Sequence, residues 1–181
     1  MTIPGYNIKK AAQVVAFFAT KEGGAINVLK LVKLLYLGDR ESLKKYDYPI
    51  LYDNLVSLDN GPVDSATLNF INGLSEDEAW DAYVNDRAGH TVGLTRRITF
   101  DELDELSVAY LEVLETVWAA FGAMGKYEIR DYTHDHCPEW EDPKGSSDPI
   151  PYERVFKFLG KQDSAALAKA VEEERYMLTA C

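Results

Sequence analysis

The chain has 181 residues, 46% of them apolar, and its 30 Asp and Glu against 19 Lys and Arg give a formal net charge of −11. That length and apolar share are enough for one domain with a sizeable core. No apolar run approaches the ~18 residues of a membrane helix and no charged-then-apolar leader opens the chain, so a cytoplasmic protein without membrane contact is expected. The charge is unevenly spread: residues 1–45 hold 8 Lys/Arg and 3 Asp/Glu, net +5, which leaves −16 for the rest. Nucleic-acid binding draws on cations that neutralise phosphates, and this balance gives it no general support. An acidic body suits solubility or a basic protein partner. Two cysteines, Cys137 and Cys181, are too few for a disulfide framework and point to a reducing compartment, with Cys181 expected as an exposed terminal thiol.

In chain order, Asn7 is placed to cap a first helix that runs to Thr20, with Ile8, Ala11, Ala12, Val15 and Phe18 on one stripe and Glu22-Gly23-Gly24 at its end. Asn27 caps a second helix in which Val28, Leu31, Val32 and Leu35 recur at i, i+3, i+4 and i+7. The short link predicts an antiparallel helix pair with lysines on its outer faces. Ile50, Tyr52, Val56 and Leu58 then share one parity in an extended run that closes on the turn Asp59-Asn60-Gly61-Pro62. Ser65 is expected to cap a short helix through Ile71. Trp80, Ala82 and Val84, followed by Val92, Leu94 and Ile98, alternate as a β-hairpin. With the 50–58 segment this predicts a small antiparallel sheet of about three strands.

Arg96 and Arg97 close that run, where they can meet the acid-rich pairs Asp101-Glu102 and Asp104-Glu105. Ser107 caps a helix carrying Leu111, Leu114, Val117, Trp118 and Phe121 and stopping at Gly122. A shorter helix follows from about Lys126 to Thr133, with Ile129 and Tyr132 inward. The loop from Gly145 to Pro151 opens another, holding Val155, Phe158 and Leu159. The last helix, about 164–178, bears Glu172-Glu173-Glu174. No repeat or long linker divides the chain. The class expected is α+β, a mostly helical single domain over residues 1–181.

One position breaks the pattern. Continued by four residues from Leu35, the stripe of the second helix lands on Asp39, and by four more on Leu43. An ionised carboxylate is seldom buried unless it is paired or hydrogen-bonded. Asp39 therefore either caps the backbone N–H groups of a neighbouring segment or pairs with an arginine, or it belongs to a partner-facing or catalytic pocket. Arg40 points about a quarter-turn away. His134-Asp135-His136-Cys137 is the one cluster that could hold a metal, but its spacing is not that of paired zinc ligands and no second pair accompanies it. No phosphate-binding loop and no nucleophile elbow is present. No cofactor and no enzyme activity are therefore expected, a metal-dependent enzyme centred on Asp39, His134 and His136 being the remote alternative.

The run Leu31-Val32-Lys33-Leu34-Leu35-Tyr36-Leu37-Gly38-Asp39-Arg40, followed by Tyr48-Pro49-Ile50 and Asn60-Gly61-Pro62-Val63, resembles the SocA-like Panacea domain. Later echoes are Val117-Trp118 with Phe121-Gly122, Asp131-Tyr132-Thr133-His134, Pro138-Glu139-Trp140, and Ser146-Ser147 with Pro149-Ile150, so that the likeness spans about residues 8–160 in family order. Gly38 departs from a common alanine and Gly125 from a helix-capping serine. The resemblance implies a mostly helical domain with a small sheet and no active site. It also implies an antitoxin of a bacterial or phage toxin–antitoxin module that binds a cognate toxin protein, encoded by an adjacent gene, and blocks it. One branch of the family instead delivers its bound toxin to a AAA+ protease. On this reading the expected toxin contacts are Asp39, Arg40, Tyr48, Asp53 and Asn60, the least core-like part of the organising stretch.

Overall fold

The computed structural model describes residues 3–180, and Cys181 lies outside them. Two helices form its centre: α1 (Ile8–Lys21) and α2 (Val28–Tyr46). Both begin where the caps were expected. Asn7 accepts the Lys10 amide at 2.9 Å, and Asn27 accepts that of Leu29 at 3.0 Å. A stripe understates how deeply α1 sits, because every residue from Ala11 to Ala19 is buried, Gln13 included. The wrapping elements are α2, α4 (Glu78–Asp81), α5 (Val108–Phe121) and β1 (Ala25–Asn27). Against α2 pack α5, α6 (Lys126–His136) and β3 (Gly61–Asp64). Gly38 fits this arrangement: a Cβ there would lie 3.3 Å from a methyl of Leu114, so its absence lets α5 come close.

Two small antiparallel sheets occur among the described residues, in place of the single one expected. In one, β1 pairs with β4 (Thr91–Gly93), Ile26 lying opposite Val92. In the other, β2 (Leu55–Leu58) is central, flanked by β3 and by β5 (Asp148–Pro149). The expected hairpin over 80–98 is therefore corrected. Its first arm is largely a helical turn capped by Asp77, which accepts the Ala79 amide at 2.8 Å, and the pairing is reduced to isolated bridges, Val84 with Leu94 and Ala88 with Thr91. Its second arm turns to β1, which the alternation alone could not identify.

The parity read across 50–58 is also corrected. Leu55 and Ser57 face inward in β2, while Val56 and Leu58 are half-buried. Tyr52 takes a positive φ of 54°, and this break in the extended backbone shifts the register between Ile50 and the strand. The turn at Asp59-Asn60 does join two strands, with Gly61 at φ 103° opposite Leu58. A Cβ on Gly61 would meet Thr133 Oγ1 at 2.9 Å and Lys33 Nζ at 3.0 Å, so the glycine is required by both conformation and space.

Of the remaining helices, α3 (Ser65–Ile71) is not capped by Ser65, α6 continues three residues past Thr133, α7 covers Tyr152–Phe158, and α8 runs Ser164–Thr179. Part of the basic beginning of the chain lies in space against the acid-rich 101–115 segment. Lys9 reaches Asp104 at 2.8 Å, Lys21 reaches Glu115 at 2.7 Å, Lys45 reaches Glu112 at 3.8 Å and Arg96 reaches Glu102 at 2.6 Å. Exposed pairs of this kind contribute ~0–1 kcal/mol each. Their effect is to offset part of the negative charge of the 101–115 segment.

Candidate functional site

The polar centre of the molecule is a set of buried carboxyl groups at the join between α2, the 50–54 loop and the β2–β3 hairpin. Asp39 is 1% exposed, and its Oδ1 accepts the amides of Ile50 at 2.9 Å and Leu51 at 3.0 Å. It therefore pins the non-regular segment that leads into β2. Asp53, fully buried, supplies the cap that Ser65 and Asp64 do not: its carboxylate accepts the amides of Ala66 and Thr67 and the Thr67 hydroxyl at 2.8–2.9 Å. Each carboxylate thus pins a segment 11–14 residues further along the chain by accepting backbone amides, without strand pairing.

Asp64, 2% exposed, faces Asp39. Were both ionised, Asp39 Oδ2 and both oxygens of Asp64 would be buried without a donor. A shared proton resolves this, and the environment favours it. Burial pushes the Asp39 carboxyl up to about 7 despite the pull of the Leu51 and Ile50 amides. Asp64 stands well above the usual carboxylate range, through burial first and then the charges of Asp39 and Asp53. Burial and the facing Asp39 and Asp53 charges favour the protonated form of Asp64, which can then donate to Asp39.

Arg40 is engaged in a different lock. Its Nε donates to Glu139 Oε1 at 2.6 Å, the same oxygen that accepts the Tyr36 hydroxyl at 2.7 Å. Glu139 is fully buried, so α2 holds the 137–141 loop by a charge-assisted bond that would be expensive to break. Tyr48 is half-buried, stacked on Tyr46 with ring centres 5.7 Å apart and edge-on to Tyr110 at 6.3 Å. Of the five contact candidates, Asn60 alone is exposed. Asp39 and Asp53 share the buried centre, whereas Arg40 and Tyr48 belong to separate clusters.

The His-Cys cluster disperses. His134 stacks on Trp140 with ring centres 4.1 Å apart, His136 stacks on Tyr132 at 4.3 Å, and Trp140 donates to Leu58 O at 2.9 Å. Cys137 is buried, and burial pushes its thiol up to about 12. Among the described residues no group of three or more His, Cys, Asp or Glu side chains is placed to hold a metal ion, and no helix is long and apolar enough to cross a membrane.

The open feature beside this centre is a groove of about 740 Å³, bounded by the first turns of α2, the Asp59-Asn60 turn, the start of α6 and the loop carrying Arg87 and His90. Lys33 and Val63 line its inner wall and Asn60 its rim. Lys33 is fully buried, donating to Pro62 O at 3.0 Å, and burial lowers its ammonium to about 7 although Asp64 opposes the shift. Sequence reasoning placed Lys33 among surface lysines, yet its position inside the apolar run 28–37 was the available signal. It missed Asp64 as the partner of Asp39, Glu139 as the partner of Arg40, and Arg87 and Lys126 at the groove. A second cleft, of about 750 Å³, is lined by Arg96, Arg97, Ile98 and Phe100. It is lined by none of the segments that carry the family resemblance, whereas Val32, Lys33, Asn60, Val63 and Ser146 of the first groove belong to them.

Fold and site together define a helical α+β domain whose polar interior serves to fix its loops and whose motif-bearing segments converge on an open groove. Comparison with known families gives that class its identity: the description "Antitoxin SocA-like, Panacea domain" matches residues 31–141, and the chain belongs to this family. The match begins within α2 and ends just past Glu139, so it encloses the carboxyl centre, the Arg40 lock and most of the groove. Searches of curated proteins and of solved structures returned no match. Family membership places the chain in a toxin–antitoxin role in general terms.

Proposed function

We propose that this protein neutralises a cognate protein toxin by direct, non-catalytic binding, acting in the cytoplasm on a toxin encoded by an adjacent gene. The observation that carries the reading is the family match over residues 31–141, within which the Asn60 turn and the α2 wall form a groove large enough for several partner side chains. Asn60 touches the partner directly. Asp39, Arg40 and Asp53 serve the interface by holding the segments behind it, since a rigid surface loses less conformational freedom on binding, whereas Tyr48 packs on Tyr46 and Tyr110 away from the groove lining. The toxin's active surface is occluded sterically. The acid-rich 101–115 segment contributes little, because lysines and Arg96 already pair with its carboxylates.

The test is co-expression with the product of the adjacent gene, reading growth, pull-down and the partner's steady-state level. Rescued growth with a stable complex supports neutralisation by binding. Rescue with a protease-dependent fall in partner level and no lasting complex replaces it with delivery to a AAA+ protease. Absence of both rescue and complex overturns the antitoxin reading.

A further inference from the structure

We infer that the groove between α2, the Asp59-Asn60 turn and α6 is the toxin-docking surface, and that it takes an acidic segment of the partner: an apolar side chain flanked by carboxylates. This deepens the antitoxin reading and rests on it. The groove has an apolar wall, to which Val28, Val32 and Val63 contribute. Its charged rim is set against the character of the chain. In a protein of formal charge −11, the groove carries Arg87 and Lys126, and its one acidic lining residue, Asp59, already accepts the Gly145 amide at 2.8 Å.

Both cations are free to meet a carboxylate. Arg87 uses Nε and Nη1 on neutral acceptors, Gly89 O and Asn72 Oδ1, each at 2.6 Å. Lys126 lies over the Tyr127 ring, 5.0 Å from its centre. Among the described residues no carboxylate pairs with either, although other cations of the chain, such as Lys9, Lys21 and Arg96, do have one.

The placement of Lys126 is itself informative. It is the first residue of α6, where the helix dipole disfavours a cation and favours a carboxylate. A lysine there works against its own helix and in favour of an anionic ligand outside it. Tyr127, 57% exposed and lining the same groove, supplies the aromatic anchor that interfaces favour. An amphipathic acidic segment matches all three: the apolar wall, the two unpaired cations and the tyrosine. A nucleic-acid backbone would match the cations alone and would meet the net negative field of the rest of the molecule.

The experiment uses the full chain and the adjacent gene product as probe. Arg87→Glu with Lys126→Glu is compared with wild type and with Lys157→Glu, an exposed reversal on α7 that lies away from the groove lining. Because a glutamate suits the start of α6 and the two hydrogen bonds lost with Arg87 are exposed, the double variant should stay folded, with its melt compared with that of wild type as the control. The expected result is an affinity for the probe weakened by about 10- to 30-fold, mostly through slower association and with a lost salt dependence, while Lys157→Glu leaves it unchanged. A benzoyl-phenylalanine placed at Tyr127 should crosslink to a partner peptide richer in Asp and Glu than in Lys and Arg. Unchanged affinity in the double variant, or a crosslinked peptide that is neutral or basic, overturns the groove assignment alone. If wild type neither binds nor neutralises the probe, the antitoxin reading falls first and takes this inference with it. Loss of binding to a duplex DNA probe, with the protein probe bound as before, assigns the cations to nucleic acid and overturns the inference as well.

Discussion

Replacing Asp64 with asparagine isolates the one proton that the folded chain must hold in its interior. In the native protein Asp64 keeps a proton that an unfolded aspartate, with a pKa of about 3.9, releases above pH 4. The sign follows from that difference. The folded state binds more protons than the unfolded state across the window from about pH 4 up to the raised folded values, so the contribution of the pair to stability is complete below pH 4 and is lost as pH rises. With the Asp39 carboxyl raised to about 7 as the measure of the pair, one extra proton held from pH 4 to 7 corresponds to roughly 4 kcal/mol, an upper figure because unfolded chains retain some structure. Asparagine supplies the donor to Asp39 without taking up a proton. Asp64→Asn should therefore match wild type near pH 4 and exceed it by roughly 3 kcal/mol at pH 8, or about 6–12 °C in Tm for a chain of this size. Thermal melts by circular dichroism from pH 4 to 8.5 read both the offset and the slope. A variant less stable than wild type at pH 8, with an unchanged pH slope, would refute the shared proton and make Asp64 the ionised partner of Lys33.

Other consequences of the buried network can be checked separately. Glu139→Ala leaves the Arg40 guanidinium and the Tyr36 hydroxyl without their acceptor; urea unfolding should show a loss of roughly 3 kcal/mol, the low end for a broken buried pair because Arg40 keeps some solvent contact. Asp53→Ala uncaps α3, at a cost of about 2–3 kcal/mol, and should expose the 65–71 segment to limited proteolysis before the rest of the chain unfolds. With its thiol raised and buried, Cys137 should resist iodoacetamide at neutral pH in the native state and react only after denaturation, as read by peptide mapping; fast native alkylation would contradict the packing of the 137–141 loop.

The parts of the fold that are encoded locally were legible. Asn7, Asn27 and Ser107 cap helices within three residues of themselves, so the spacing of a cap and an apolar stripe sufficed to place α1, α2 and α5. Asp39 was also visible as a carboxylate on an apolar stripe, and of the structural roles open to it the structure displays amide capping, through Ile50 and Leu51. What was not legible depends on partners distant in sequence. Alternation at 80–98 marks Trp80, Val84, Val92 and Ile98, which are buried, but it exchanges Ala82 with Tyr83 and cannot say that Val92 lies opposite Ile26. Asp64 carries no local signal, because nothing near it in sequence reveals that Asp39 stands across from it. The groove was hidden for the same reason: Lys33, Asn60, Arg87 and Lys126 come from four separate segments and share no local pattern.

The central claim is that binding alone neutralises the toxin, and a purified two-component titration tests it most directly. The adjacent gene product is assayed for its toxic activity while this protein is added in increasing amounts, with no protease and no cofactor present. The account predicts that activity falls to baseline at a fixed molar ratio, with a complex of the same stoichiometry on size exclusion. Toxic activity that persists in the presence of excess protein would contradict it.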